Sequence, residues 1–128
     1  MNPKVLIIDD DPAVAKFIKF RLTKKGFEVD HVDNGIDGLH AIGELQPDLV
    51  ILDLMMPGID GREVAEQVRE FNLIDPNRII ILSGKEMSSE IKALFELGVH
   101  DCIQKPFNID NLLVRIERAL YLLSQKKE

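Results

Sequence analysis

LVILDLMMPGIDG, residues 49–61, runs four apolar residues straight into a carboxylate, Asp53. A strand with one face in water alternates apolar and polar residues. Leu49–Leu52 does not alternate, which is the pattern of a strand covered on both faces in the middle of a parallel sheet. Met55 and Met56 follow, then Pro57-Gly58 and Asp60-Gly61, which turn the chain toward a helix. Two other segments have the same character: VLII within Lys4–Ile8, and IIIL within Arg78–Leu82. Phe27–Val32 (FEVDHV) and Asp101–Gln104 (DCIQ) mix apolar and polar residues and read as edge strands.

Helical patterns fill the intervals. Pro12 opens the first, with Val14, Phe17, Ile18 and Leu22 at helical spacing and Gly26 as its C-terminal cap. Ile36, Leu39, Ile42 and Leu45 mark a second, weakened by Gly38 and Gly43. Val64, Ala65, Val68 and Phe71 mark a third. The fourth is capped by Ser88 or Ser89, carries Ile91, Leu94 and Phe95, and ends at Gly98. The longest sets Ile109, Leu112, Leu113, Ile116, Leu120 and Leu123 on one stripe. The alternation predicts an α/β fold: one domain over residues 1–128, a single doubly wound five-stranded parallel sheet. With the first, third and fourth strands central, the strand order is 2-1-3-4-5.

Composition bounds the function. Of 128 residues, 45% are apolar and 30% charged, a globular profile. The net charge of −6 argues against nucleic acid or an anionic membrane as a direct partner. A lone cysteine, Cys102, suits a reducing, cytoplasmic compartment. No apolar run has the length of a membrane span, and the N-terminal one is too short for a signal peptide.

In such sheets ligands bind at the carboxyl ends of the strands where the winding reverses, here between the first and third strands. The first strand ends in Asp9-Asp10-Asp11 and the third in Asp53. The fourth ends in Ser83-Gly84 and the fifth in Lys105-Pro106-Phe107. Taken singly, each has an ordinary reading: an Asp after a strand is a turn residue or helix cap, Ser83 a cap, Lys105 a solvated charge. Asp11 is read as the cap of the helix at Pro12. Four strand ends delivering complementary groups to one rim are another matter. Converging carboxylates without His or Cys suit Mg²⁺ or Mn²⁺. Carboxylates, metal, hydroxyl and ammonium around one point are what phosphoryl transfer to a carboxylate needs.

VLIIDDDP, LDLMMPGIDG, IILSG and QKPF, in this order and spacing, resemble the receiver domain of two-component response regulators, a flavodoxin-like (βα)5 domain. The resemblance covers Met1 to about Gln125. It implies that Asp53 accepts a phosphoryl group from the phosphohistidine of a sensor histidine kinase or a histidine phosphotransfer protein. It implies Mg²⁺ held by Asp10 directly, by Asp9, by Asp53 and by the backbone carbonyl of Met55. The resemblance further implies that Ser83 and Lys105 contact the phosphoryl oxygens and that the Lys105–Pro106 bond is cis. The domain is then expected to be a phosphoacceptor in signalling rather than an enzyme, phosphorylated by small donors and slow to lose its phosphate. Its output partner, or a second copy, is expected on the face of the fourth helix, fifth strand and fifth helix.

Departures and alternatives sharpen these expectations. Where the family commonly carries Tyr or Phe, three residues before Lys105, this chain has Cys102, read as a small buried strand residue. Signalling then runs through the Ser83–Glu90 loop and fourth helix, or the domain is a phosphate relay. Met55 and Lys85 flank the path of the hydrolytic water, and Met55 cannot orient it. Val114, Tyr121 and Leu122 form a second apolar row on the last helix, either scattered surface or a contact face. His31, His40 and His100 are expected to take no ligand, with His31 and His40 away from the rim. Competing readings are a haloacid-dehalogenase-like phosphatase, whose DxD motif Asp9-x-Asp11 mimics, and a receiver-like scaffold that is never phosphorylated. The phosphatase usually has Thr or Val where Ala13 stands, and it needs a cap domain for which the length leaves no room. The length likewise leaves no room for a DNA-binding output.

Overall fold

The computed structural model describes residues 2–84 and 88–125. Its elements run β1 (Lys4–Ile8), α1 (Pro12–Lys24), β2 (Glu28–Val32), α2 (Gly35–Leu45), β3 (Leu49–Asp53) and α3 (Gly61–Glu70). A 3₁₀ turn (Pro76–Arg78) then leads into β4 (Ile79–Ser83), α4 (Ser88–Leu97), β5 (Asp101–Gln104) and α5 (Ile109–Gln125). All neighbouring strands pair in parallel, in the order β2-β1-β3-β4-β5.

The apolar runs are explained by the two faces of this sheet. Successive side chains point to opposite sides, so an unbroken run feeds two cores at once. Val5, Ile7, Leu49, Ile51, Ile80 and Leu82 pack with Ala15, Ile18 and Leu22 of α1 and Leu112, Leu113 and Ile116 of α5. Leu6, Ile8, Val50, Leu52, Ile79 and Ile81 pack on the other side with Ile42 of α2, Val64 and Val68 of α3 and Leu94 of α4. All of β3 and β4 is buried. Each such Leu or Ile side chain contributes roughly 1.5–3 kcal/mol through burial.

The strand ends differ from the sequence reading where it matters most. β2 begins at Glu28, with Phe27 outside it. β3 includes Asp53, which pairs with Leu82, and β4 includes Ser83, which pairs with Gln104. The apolar pattern stops one residue before each, but the hydrogen-bonded ladder does not. Arg78, expected to open β4, closes the 3₁₀ turn that Asp75 caps through the Asn77 amide. Four residues of the predicted helical patterns face outward: Phe17 is 48%, Ile36 60%, Phe71 62% and Phe95 47% exposed. Phe71 follows the last turn of α3 as its C-cap. Gly38 has a packing reason, because a Cβ there would sit 2.7 Å from Cδ1 of Ile8. The capping side chains expected at Ser88 or Ser89 lie outside the described residues, as does Lys85.

Candidate functional site

The carboxyl ends of β1, β3 and β4 and the segment after β5 meet on one rim. Asp53 is held there by the ladder on β3 and is only 4% exposed. Its Oδ1 accepts the Met55 amide at 3.4 Å and lies 3.4 Å from Nζ of Lys105. Asp9, the first residue beyond β1, is fully buried. Its Oδ1 accepts the Asp11 amide at 2.9 Å. Its Oδ2 has no hydrogen-bond partner among the described residues and stands 3.6 Å from the Lys105 ammonium. Asp10 is exposed, yet one oxygen from each of Asp9, Asp10 and Asp53 lies within 4.8 Å of the others.

This cluster carries an electrostatic cost. Burial, followed by repulsion from Asp9, pushes the Asp53 carboxyl up from 3.8 to about 6, against the opposing pull of Lys105 and the Met55 amide. A buried carboxylate oxygen without a partner and a nearby acid driven toward its protonated form are both relieved by a divalent cation. Three convergent carboxylates suit a hard ion that takes oxygen ligands. The residues present therefore fit Mg²⁺ or Mn²⁺.

The other predicted residues fall around this point. Ser83 ends β4, buried, and its carbonyl accepts the Lys105 amide at 2.6 Å. The Lys105–Pro106 bond is cis. Asp11 caps α1, accepting the amides of Ala13 and Val14 at 3.0 and 3.3 Å. Asp60 caps α3 in a reciprocal pair with Glu63. The Met55 side chain is 61% exposed and apolar, while its amide faces Asp53. Cys102 is half-buried against the α2–α4 side of the core, and burial, then Asp101, pushes its thiol up to about 11. A thiol held so far above neutral pH is rarely ionised.

One expectation fails. His31 is not away from the rim: its Nε2 lies 2.9 Å from the backbone oxygen of Asp9. Parallel pairing of β2 with β1 puts His31 opposite Ile7, and the ring reaches two residues further along the neighbouring chain, to Asp9 just beyond β1. His40 is exposed on α2, and His100 precedes β5, at the opposite end of the strand from Lys105.

The second apolar row of α5 is exposed, at 62% for Val114, 63% for Tyr121 and 39% for Leu122, and its i, i+7, i+8 spacing keeps the three on the side of the helix turned from the core. Helical spacing puts Val114 and Tyr121 on the flank of Asp110 and Glu117, which pair with Arg21 and Lys25 around α1. Leu122 shares the flank of Arg115, which reaches Asp101 of β5 at 3.1 Å.

Comparison with known proteins agrees with this architecture. The family model described as response regulator receiver domain matches residues 5–117. The DNA-binding dual master transcriptional regulator RpaA of Synechocystis is 33% identical over 118 residues, covering 92% of this chain and 49% of that protein. Response regulator MprA of a Mycobacterium species is 35% identical over 120 residues, covering 94% of this chain and 51% of that protein. A CheY-like response regulator receiver domain protein from Methanospirillum hungatei superposes with a TM-score of 0.92 at 25% identity, covering 99% of this chain and all of that one. The chain thus spans about half the length of these curated relatives. No described helix is long and apolar enough to cross a membrane.

Proposed function

The chain belongs to the response regulator receiver domain family of two-component systems, and on that premise we propose that Asp53 is its phosphoacceptor. The observation that carries the proposal is the buried Asp53 carboxylate at the end of β3, 3.4 Å from the Lys105 ammonium and within reach of Asp9 and Asp10. Asp53 attacks the phosphorus of a donor phosphohistidine. The new O–P bond forms as the P–N bond breaks, and the leaving imidazole takes up a proton. Lys105 exchanges its carboxylate partner for a phosphoryl oxygen, and the Ser83 hydroxyl donates to another. Asp9, Asp10, Asp53 and the Met55 carbonyl would hold Mg²⁺, which neutralises charge on the transferred group. The donor is a sensor histidine kinase or a histidine phosphotransfer protein.

The phosphorylated state then acts through the α4–β5–α5 face, on an output partner or a second copy. Phe95 of α4, 47% exposed, and the exposed Leu122 of α5 support that choice. The acidic charge speaks against nucleic acid binding by these residues themselves. RpaA, however, is named as DNA-binding, and this chain matches only 49% of it, so the exclusion of nucleic acid does not extend to a longer protein of that kind.

Incubation with acetyl phosphate and Mg²⁺ is expected to add one phosphoryl group, detected by intact-mass spectrometry. Absence of an adduct would leave the unphosphorylated scaffold reading. Steady turnover of phosphate esters would restore the phosphatase reading, which the family match otherwise displaces.

The lifetime of the phosphoaspartate is a separate matter. Met55 offers no hydrogen bond to an attacking water, so hydrolysis is expected to be slow. Met55→Asn supplies an amide beside Asp53 and is expected to speed loss of phosphate roughly tenfold, less than a positioned general acid or base contributes, because the amide orients water without taking its proton. The decay of the mass adduct after donor removal measures it, and an unchanged half-life contradicts the role.

A further inference from the structure

Among the described residues, the edge strand reaches Asp9 through one backbone bond and one side chain. The ladder between β1 and β2 ends at Ile8 and Val32, with the Asp9 amide donating to the Val32 carbonyl at 3.2 Å. The chain then turns at Asp33-Asn34 into α2, whose cap is Asn34. At this point His31 reaches across, its Nε2 2.9 Å from the Asp9 carbonyl oxygen. A carbonyl only accepts, so Nε2 carries a proton and donates it to this bond.

This bond fixes more than one atom. The Asp9 carbonyl and the Asp10 amide belong to the same rigid peptide plane. With the Asp9 amide held by Val32 and its carbonyl held by His31, both peptide planes flanking the Asp9 Cα are anchored to β2. Those planes set the direction of the Asp9 and Asp10 side chains. Asp9 is also locked by burial and by the Asp11 amide on its Oδ1. Asp10 is exposed, so its backbone does more to aim it. We infer that His31 is a positioning residue for the cation site, holding the Asp9–Asp10 peptide so that the two carboxylates and Asp53 converge. The inference rests on the metal reading above. It assigns His31 a hydrogen bond to the backbone of a ligand residue, one step outside the ligands themselves.

The test is Mg²⁺ binding, followed by amide shift changes of residues 9, 10 and 53 in an NMR titration, on the parent, His31→Phe, His31→Leu and His31→Gln. Phe and Leu keep apolar bulk and lose the donor, while Gln keeps an N–H of similar reach. His31→Phe and His31→Leu are expected to weaken Mg²⁺ roughly three- to tenfold, below the effect of losing a group bonded directly to a ligand. His31→Gln is expected to recover most of that loss. Melting of each variant without metal separates positioning from folding. Unchanged Mg²⁺ affinity in both the Phe and Leu variants overturns the inference, even if their melting temperatures drop. Equal weakening in all three variants overturns it too, since the donor would then not matter. A parent that binds no Mg²⁺ refutes the metal site itself, a different result from a parent that binds while the variants match it.

Discussion

Asp53→Asn is expected to make the metal-free protein more stable at pH 7 while abolishing its phosphorylation. The two effects have one origin. The buried site holds the Asp53 carboxyl at about 6 instead of 3.8, so the folded protein keeps its proton to higher pH than the unfolded chain does. Where the native state binds more protons, stability falls as pH rises. The loss begins near pH 4, is complete a little above pH 6, and amounts to about 3 kcal/mol at pH 7. Asparagine cannot ionise and escapes it, while its carbonyl oxygen still accepts from Lys105. For a domain of this size the gain corresponds to roughly 10 °C in melting temperature.

The comparison is made by thermal melts of parent and variant in a chelator from pH 4 to pH 8. The gap is expected to be widest at pH 7–8 and to close toward pH 4. Mg²⁺ should then narrow or reverse it, because a ligand that binds only the folded state stabilises the protein that binds it better, and Asn is a poorer ligand than carboxylate. A variant no more stable than the parent at pH 7, or a gap independent of pH, contradicts the electrostatic account. Undiminished labelling of Asp53→Asn by acetyl phosphate contradicts the phosphoacceptor assignment.

The sheet was legible because its physics is carried by composition within short runs. VLII, LVIL and IIIL can only be buried on both sides, and β1 and β5 fall where the pattern puts them. The site was legible for a related reason: a parallel sheet places all strand ends of one sense on one rim, so Asp9, Asp53, Ser83 and Lys105 converge without any knowledge of their side-chain contacts. What the pattern hides is whatever depends on register or on hydrogen bonding. Asp53 and Ser83 belong to their strands because the ladder continues through polar residues. The role of His31 depends on its pairing opposite Ile7, which no single-strand periodicity encodes. The second apolar row of α5 is bordered by the ion pairs of Glu117 and Arg115, contacts that the spacing of its own residues does not reveal. Phe17, Ile36 and Phe71 fit helical spacing, yet lie at the margin of the covered stripe.

Gly61→Ala is expected to cost about 2–3 kcal/mol, at the upper end of what one added methyl does in a packed site. Gly61 is the first residue of α3, and its amide donates to the Leu54 carbonyl at 3.0 Å. A Cβ there would stand 2.5 Å from the Asp53 carbonyl oxygen and 2.8 Å from the Leu54 Cα. Both atoms are backbone, so no side-chain rotation relieves the clash. Either α3 lifts, weakening the Leu54 bond and the packing of Val64, Ala65 and Val68, or the Asp53–Leu54 peptide tilts. The second response swings the Asp53 carboxylate away from Lys105, and phosphorylation from acetyl phosphate at saturating Mg²⁺ is expected to slow roughly tenfold or more. Gly43 supplies the control. It is exposed within α2, and a Cβ there meets nothing within 4 Å. Gly43→Ala is therefore expected to stabilise by about 0.5–1 kcal/mol through helix propensity and to leave phosphorylation unchanged. If close backbone approach is what requires Gly61, the urea midpoints of the two variants shift in opposite directions and only Gly61→Ala slows adduct formation. Equal behaviour of Gly61→Ala and Gly43→Ala would show that the loop after β3 yields freely, and that Asp53 owes its placement to the strand alone.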